Sequence, residues 1–404
     1  MKRLTLAAGL CAALLSAGAA QAQAQTKTIK IGVLSDESGL YADVGGVGSV
    51  LAAQMAVEDS GLLQKGWKIE VIHGDHQNKP DIGTNIARQW FDLDKVDVIV
   101  DIPNSGVALA VSQVVKDKNK VFLANGPASS DLTGKACTPN TVHWAYDTYM
   151  LANGTGTALT KAGGNTWFFI TADYAFGQAL ERDTGAAVEK AGGKILGKVR
   201  HPLSTADFSS FLLQAQSSGA KVVGLANAGA DTSNAIKQAA EFGITAGGQK
   251  LAGLLLFIND IHALGIDLAH GLTLTNSFYW DLNDQTRAFS ERFQKRMKTG
   301  AVPNMVQAGD YAALLHYFKA AEALGDVSDG AKVVDKMKEI PTDDPLFGKG
   351  EIRVDGRTIH QVYLFEVKTP EESKRPWDYY KLIATIPGNE AFRPLADGGC
   401  PLVK

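Results

Sequence analysis

Four acidic residues, Asp173, Asp207, Asp231 and Asp310, fall at positions where loops could bring them into one cleft. Two carboxylates that meet are the minimum for acid–base catalysis, but sequence sets no distance between them. The other signatures of catalysis are missing. No Gly-x-Ser-x-Gly elbow presents a nucleophile, and no His-Glu-x-x-His pair presents a metal. His73 and His76 are three apart at the end of an expected strand, which suits surface or packing roles better than ligation. Gly45-Gly46-Val47-Gly48 is neither a dinucleotide loop nor a Gly-Lys-Ser/Thr phosphate loop, so a tight turn is its simplest reading. An enzyme is therefore the minor reading: no catalytic residue, metal or cofactor is expected.

Binding chemistry is better represented. Segments 38–41, 104–106, 125–130, 173–176 and 227–231 carry hydroxyls and free backbone N–H groups where helices begin, an arrangement that suits an anionic group such as a carboxylate. Tyr41, Trp144, Tyr146, Tyr174, Phe278, Tyr279 and Trp280 lie in those loops or at expected chain crossings. One polar wall and one aromatic wall describe a pocket for a small organic acid. Each aromatic taken alone is as well explained by a core.

The elements that must position these loops alternate regularly. Strands are expected at 28–34, 67–73, 96–102 and 121–124, with helices at 50–60, 82–91 and 107–115 between them. Such alternation means a parallel sheet covered on both faces. The rhythm restarts with strands at 165–171, 194–200, 220–226, 250–257 and 272–275, and helices at 176–191, 208–217, 232–242 and 260–264. Gly192-Gly193 supplies stop chemistry for the long helix. Helices at 286–299, 307–324 and 331–338 and paired strands at 351–354 and 362–367 are too little for a third domain and must add to the two lobes. The expected fold is α/β: two Rossmann-like lobes, each a mostly parallel sheet flanked by helices, joined by a hinge of several crossings. Residues 25–147 plus 276–345 form the first lobe, 148–275 plus 346–385 the second, and 386–404 a tail packed back on the first.

A chain of 404 residues is long for one core and suits two lobes. Lys2 and Arg3, an apolar run over 4–15, and small-x-small sites at Ala20-Gln21-Ala22 and Ala22-Gln23-Ala24 read as a secretory leader spanning 1–24. The run is short for a membrane span, a retained anchor being the alternative. The formal charge of −3 becomes two units more negative once Lys2 and Arg3 leave. No basic block suggests nucleic acid. With Cys11 removed, Cys137 and Cys400 are left, a natural disulfide in an oxidising compartment, with two buried thiols as the alternative.

These segments also carry a resemblance. IGVLSDESGLYADVGGVGSVLAAQMAVEDSG, VDVIVDIPNSGVALAV, FLANGPASSDLTG, ITADYAFGQAL and QAGDYAALLHY together resemble the periplasmic solute-binding proteins of ABC importers of the leucine/isoleucine/valine-binding type, across nearly all of the mature chain. The resemblance implies the type I two-lobed fold, a periplasmic location, an inner-membrane permease as partner and no bond-breaking chemistry. It implies that Ser105 and Gly106, beside Asn104, hold a carboxylate, with Ala128 and Ser129 adjacent. Tyr41 would line the first loop, and Tyr174, with Phe176, would close from the second lobe. Tyr311 lies on the helix that returns to the first lobe.

Departures bear on the solute. Where amino-acid binders of this type place an acidic residue to grip an ammonium, this chain has Asn227, with Asp231 a little beyond. Trp144-Ala145-Tyr146-Asp147 replaces a polar pair. A buried ammonium without a carboxylate is costly, so an aromatic or apolar organic acid competes with a branched-chain or aromatic amino acid, which Asp231 or Asp147 would restore. Tyr41, Asn104, Ser105, Gly106, Ala128, Ser129, Trp144, Tyr146, Asp147, Tyr174, Phe176, Asn227, Asp231, Trp280 and Tyr311 are the candidate ligand residues. A sensor or receptor lobe for amides or related molecules is the alternative to a monomeric carrier.

Overall fold

The computed structural model describes residues 27–404; the leader expected at 1–24 lies outside the described residues. The first lobe is built on a parallel sheet with strand order β2-β1-β3-β4-β5. Its strands are β1 (Thr28–Ser35), β2 (Lys68–Asp75), β3 (Val98–Asp101), β4 (Val121–Ala124) and β5 (Thr141–His143). Side chains alternate across it, as strand geometry requires. Ile31, Val33, Val98, Val100, Val121 and Leu123 join one core. Leu34, Ile99, Phe122 and Ala124 join another beneath helices Pro80–Gln89 and Ser105–Asp117. Helix Gly46–Asp59 packs beside helix Met305–Leu324. Gly32 is obligatory: a Cβ there would sit 2.4 Å from the Trp90 ring.

The second lobe repeats the plan with strands β6 (Thr166–Ala172), β7 (Lys194–His201), β8 (Val222–Ala226) and β9 (Lys250–Gly253) in the order β7-β6-β8-β9. An antiparallel sheet extends it: β10 (Thr273–Asn276), then β14 (Val362–Val367) and β15 (Tyr380–Ile386).

A small unit of β11 (Thr342–Asp344), β12 (Gly348–Ile352) and β13 (Thr358–Ile359) covers the β5 edge, where the His143 N–H donates to the Gly356 carbonyl at 2.9 Å. Covering that edge hides otherwise unpaired strand groups. The chain then enters the antiparallel sheet at Val362. Cys400 is bonded to Cys137 with Cα atoms 5.6 Å apart, and Arg393 donates to the Ser130 carbonyl at 2.9 Å. Among the described residues no helix is long and apolar enough to cross a membrane.

Candidate functional site

The carboxyl ends of parallel strands leave backbone groups open to a crevice, and here seven strand ends converge on one small cavity. Tyr41 and Val44 come from the segment after β1, Pro103 after β3, Ala128 after β4 and Tyr146 after β5. From the facing lobe come Tyr174 and Phe176 after β6, Ala228 after β8, and Leu255 and Phe257 after β9. The wall is aromatic and aliphatic, and no charged side chain lines it.

First-lobe contacts fix its polar end. Asn104 caps helix Ser105–Asp117, its side-chain oxygen accepting from the Gly106 and Val107 N–H groups at 2.9 and 3.1 Å. That cap presents Ser105 Oγ to the next loop, where it accepts from Ala128 N–H at 3.2 Å and Ser129 N–H at 3.1 Å. Two convergent N–H groups and a hydroxyl suit a carboxylate oxygen. Ser129 Oγ turns away to accept from Asp131 N–H at 3.4 Å. The Asp36 carboxylate shapes the Tyr41 loop by accepting from Gly39 and Tyr41 N–H, both at 2.8 Å.

Beneath the loop after β3, Asp101 and Ile102 both take left-handed backbone, φ 81° and 63°, a costly geometry held by its surroundings. Asp101 accepts from Ser35 Oγ at 2.6 Å, and Ser35 Oγ accepts from Gly46 N–H at 2.7 Å. Burial is the main reason the Asp101 carboxyl is pushed up to about 7. Burial and the neighbouring Asp101 push fully buried Asp310 well above the ordinary range.

The lobes meet at two phenols: Tyr41 and Tyr174 hydroxyls lie 2.6 Å apart. Burial holds both far above their ordinary titration range. Tyr146 OH donates to the Gly126 carbonyl at 2.7 Å, leaving its ring on the cavity. Gly229 (φ 60°) faces Leu40 and Tyr41, and a Cβ there would stand 2.9 Å from the Leu40 carbonyl oxygen. Asn227 is spent within its own lobe, with Nδ2 3.1 Å from His201 Nε2 and Oδ1 accepting from Thr232 Oγ1 at 2.7 Å. Asp231 accepts from Ser204 N–H at 3.1 Å through one oxygen; the other has no partner. Burial raises its carboxyl to about 6.

Of the expected residues only Tyr41, Ala128, Tyr146, Tyr174 and Phe176 line the cavity, and Trp144, Asp147, Trp280 and Tyr311 are engaged elsewhere. Trp144 is fully buried against His316, ring centroids 5.4 Å apart. Asp147 caps its helix by accepting from Met150 N–H at 2.8 Å and faces Arg357 Nη1 at 3.4 Å. Trp280 donates to the Trp377 carbonyl at 2.8 Å and lies under Arg375. Tyr311 OH donates to Asp59 at 2.7 Å, beside Arg292. Partners outside the cavity claim the polar atoms of Asp147, Trp280 and Tyr311, whereas Trp144 Nε1 is buried without one. Sequence reasoning missed Val44, Pro103, Ala228, Leu255 and Phe257: apolar residues carry no chemical mark, and 250–257 read as one strand although β9 ends at Gly253. His73 faces Glu37 at 2.7 Å, whereas buried His76 accepts from Asn78 N–H, so the two do not converge.

A family model described as periplasmic binding protein matches residues 28–374. A solved periplasmic binding protein from Burkholderia mallei is 52% identical, covers 94% of this chain and 100% of its own, and superimposes with a TM-score of 0.90. A branched chain amino acid ABC transporter periplasmic ligand-binding protein from Burkholderia xenovorans LB400 is 39% identical, covers 93% and 100%, and gives a TM-score of 0.82. The Leu/Ile/Val-binding protein homolog 6 of Brucella abortus is 26% identical over 380 residues, 92% of this chain and 94% of that protein.

Proposed function

This chain belongs to the periplasmic binding protein family, and on that footing we propose that it captures a small carboxylate with an apolar or aromatic body and presents it to an ABC permease. It is a solute binder and not an enzyme, as membership of that family means. The observation that carries the solute reading is the composition of the cavity. Five aromatic rings (Tyr41, Tyr146, Tyr174, Phe176 and Phe257) surround it, and the convergent Ala128 and Ser129 N–H groups flank it beside Ser105.

In this reading the solute's carboxylate takes the place of Ser105 Oγ as acceptor for those N–H groups. Its body packs on the rings, and Tyr174 swings in from the second lobe. Closure expels water, so a substituent that leaves a polar group unpaired is rejected. The leader at 1–24 delivers the chain to the periplasm, where the Cys137–Cys400 bond is stable.

Asp231 favours a second reading. Asp231 acts on both Tyr41 and Tyr174 through its charge, and its unpartnered buried oxygen would accept the ammonium of a branched-chain or aromatic amino acid. The relatives described as branched-chain amino acid binders agree with that version. A thermal-shift panel of benzoate, 4-hydroxybenzoate, leucine, valine and phenylalanine separates the two. Shifts from sugars or inorganic cations alone would end the carboxylate reading. A regulatory partner and no permease genes beside this one would favour the sensor.

A further inference from the structure

The loop that offers the Ala128 and Ser129 N–H groups has a rear side, and the opposite lobe holds it. Asp183, on helix Ala175–Lys190 of the second lobe, is buried and accepts from Ser130 Oγ at 2.7 Å and Thr148 Oγ1 at 2.6 Å. Ser130 N–H donates to that same Thr148 hydroxyl at 3.1 Å, and Thr148 N–H donates to the Ala128 carbonyl at 2.8 Å. Arg182 completes the clamp. Its Nε donates to Asp183 at 2.9 Å, Nη2 to Ser130 Oγ at 2.9 Å, and Nη1 pairs with Asp131 at 3.2 Å. Each hydroxyl thereby donates to Asp183 while accepting from an N–H group. An aliphatic brace would tolerate sliding; charge-assisted bonds with these partners fix one register.

We infer that Arg182 and Asp183 are positioning residues for solute capture: docking of the second lobe onto Ser130 and Asp131 sets the backbone whose front N–H groups the solute reads. The inference rests on the proposed carboxylate site at Ala128 and Ser129. It makes closure and solute recognition one event, because the contact that closes the lobes also orders the loop that grips the solute.

The test uses the full mature chain with Arg182→Gln, Asp131→Asn and the double variant. Each is titrated calorimetrically with 4-hydroxybenzoate and with leucine, melted without solute, and followed by hydrogen exchange at the amides of residues 128–131. Each single change should weaken affinity on the order of tenfold, and the double variant should be no weaker than the worse single one. Solute-free melting should move by about 2 °C or less, while exchange at 128–131 rises about tenfold. Additive losses, or unchanged affinity and exchange, would overturn the assignment. If the unaltered chain binds neither probe, the carboxylate reading fails on its own. The exchange arm then still decides the clamp: faster exchange supports it and unchanged exchange refutes it.

Discussion

Replacing Arg357 with Met removes a guanidinium that lies wholly within the protein. Its Nη2 donates to the Trp144 carbonyl, Nη1 to the Tyr146 carbonyl at 2.9 Å, and Nε to the Thr358 carbonyl at 3.1 Å. Its face lies over the Phe392 ring at 4.5 Å. Burial lowers its titration only to about 10, so it is charged at neutral pH and balances buried Asp147. Met fills much of the volume but leaves that carboxylate uncompensated, which costs about 3–5 kcal/mol. The Trp144 carbonyl keeps the His360 side chain at 2.9 Å, whereas the Tyr146 carbonyl loses its guanidinium donor. For a lobe of this size the melting temperature should fall on the order of 10 °C. Arg357→Lys should fall between, because one ammonium cannot reach all the carbonyls the fork serves. Asp147→Leu added to Arg357→Met should recover part of the loss by removing the stranded charge. Melting of Arg357→Met within about 2 °C of the unaltered chain would refute the reasoning, as would no recovery in the double variant.

Reduction of Cys137–Cys400, which are separated by 263 residues, should cost about 5 kcal/mol by chain entropy; melts with and without reductant at equal ionic strength read it. Asp101 is raised to about 7 against an ordinary 3.8, so its contribution is fully present below the ordinary value and is lost as pH rises through 7, with an upper bound of about 4 kcal/mol. Melts between pH 5 and 9 should show that decline, levelling off above 7, and Asp101→Asn, which removes the titrating group, should flatten it. Tyr174→Phe strands the Tyr41 hydroxyl and should weaken solute affinity about tenfold, while an unchanged titration would remove the phenol pair from the site.

The alternation of strands and helices was legible because the central strands of the first lobe are buried on both faces and so are mostly apolar, as in 98–101 and 121–124. β5, three residues long, and β15, whose middle residues are exposed, show no such run and escaped notice. Tyr41, Tyr146, Tyr174, Phe176 and Ala128 were expected in the cavity wall and lie there, since strand ends fix their loops. Trp144 and Asp147 lie off the cavity for a physical reason: their partner, Arg357, arrives from more than two hundred residues away, and no local pattern announces it.

The central claim, capture of a carboxylate between the lobes, is tested most directly by one calorimetric comparison. The mature chain is titrated with the tightest-binding acid of the panel and with its primary amide, which keeps the body and removes the charge. The account predicts one-to-one binding of the acid and binding of the amide weaker by about a hundredfold, the order expected for losing charge-assisted hydrogen bonds in a buried site. Equal affinity for the two would contradict it.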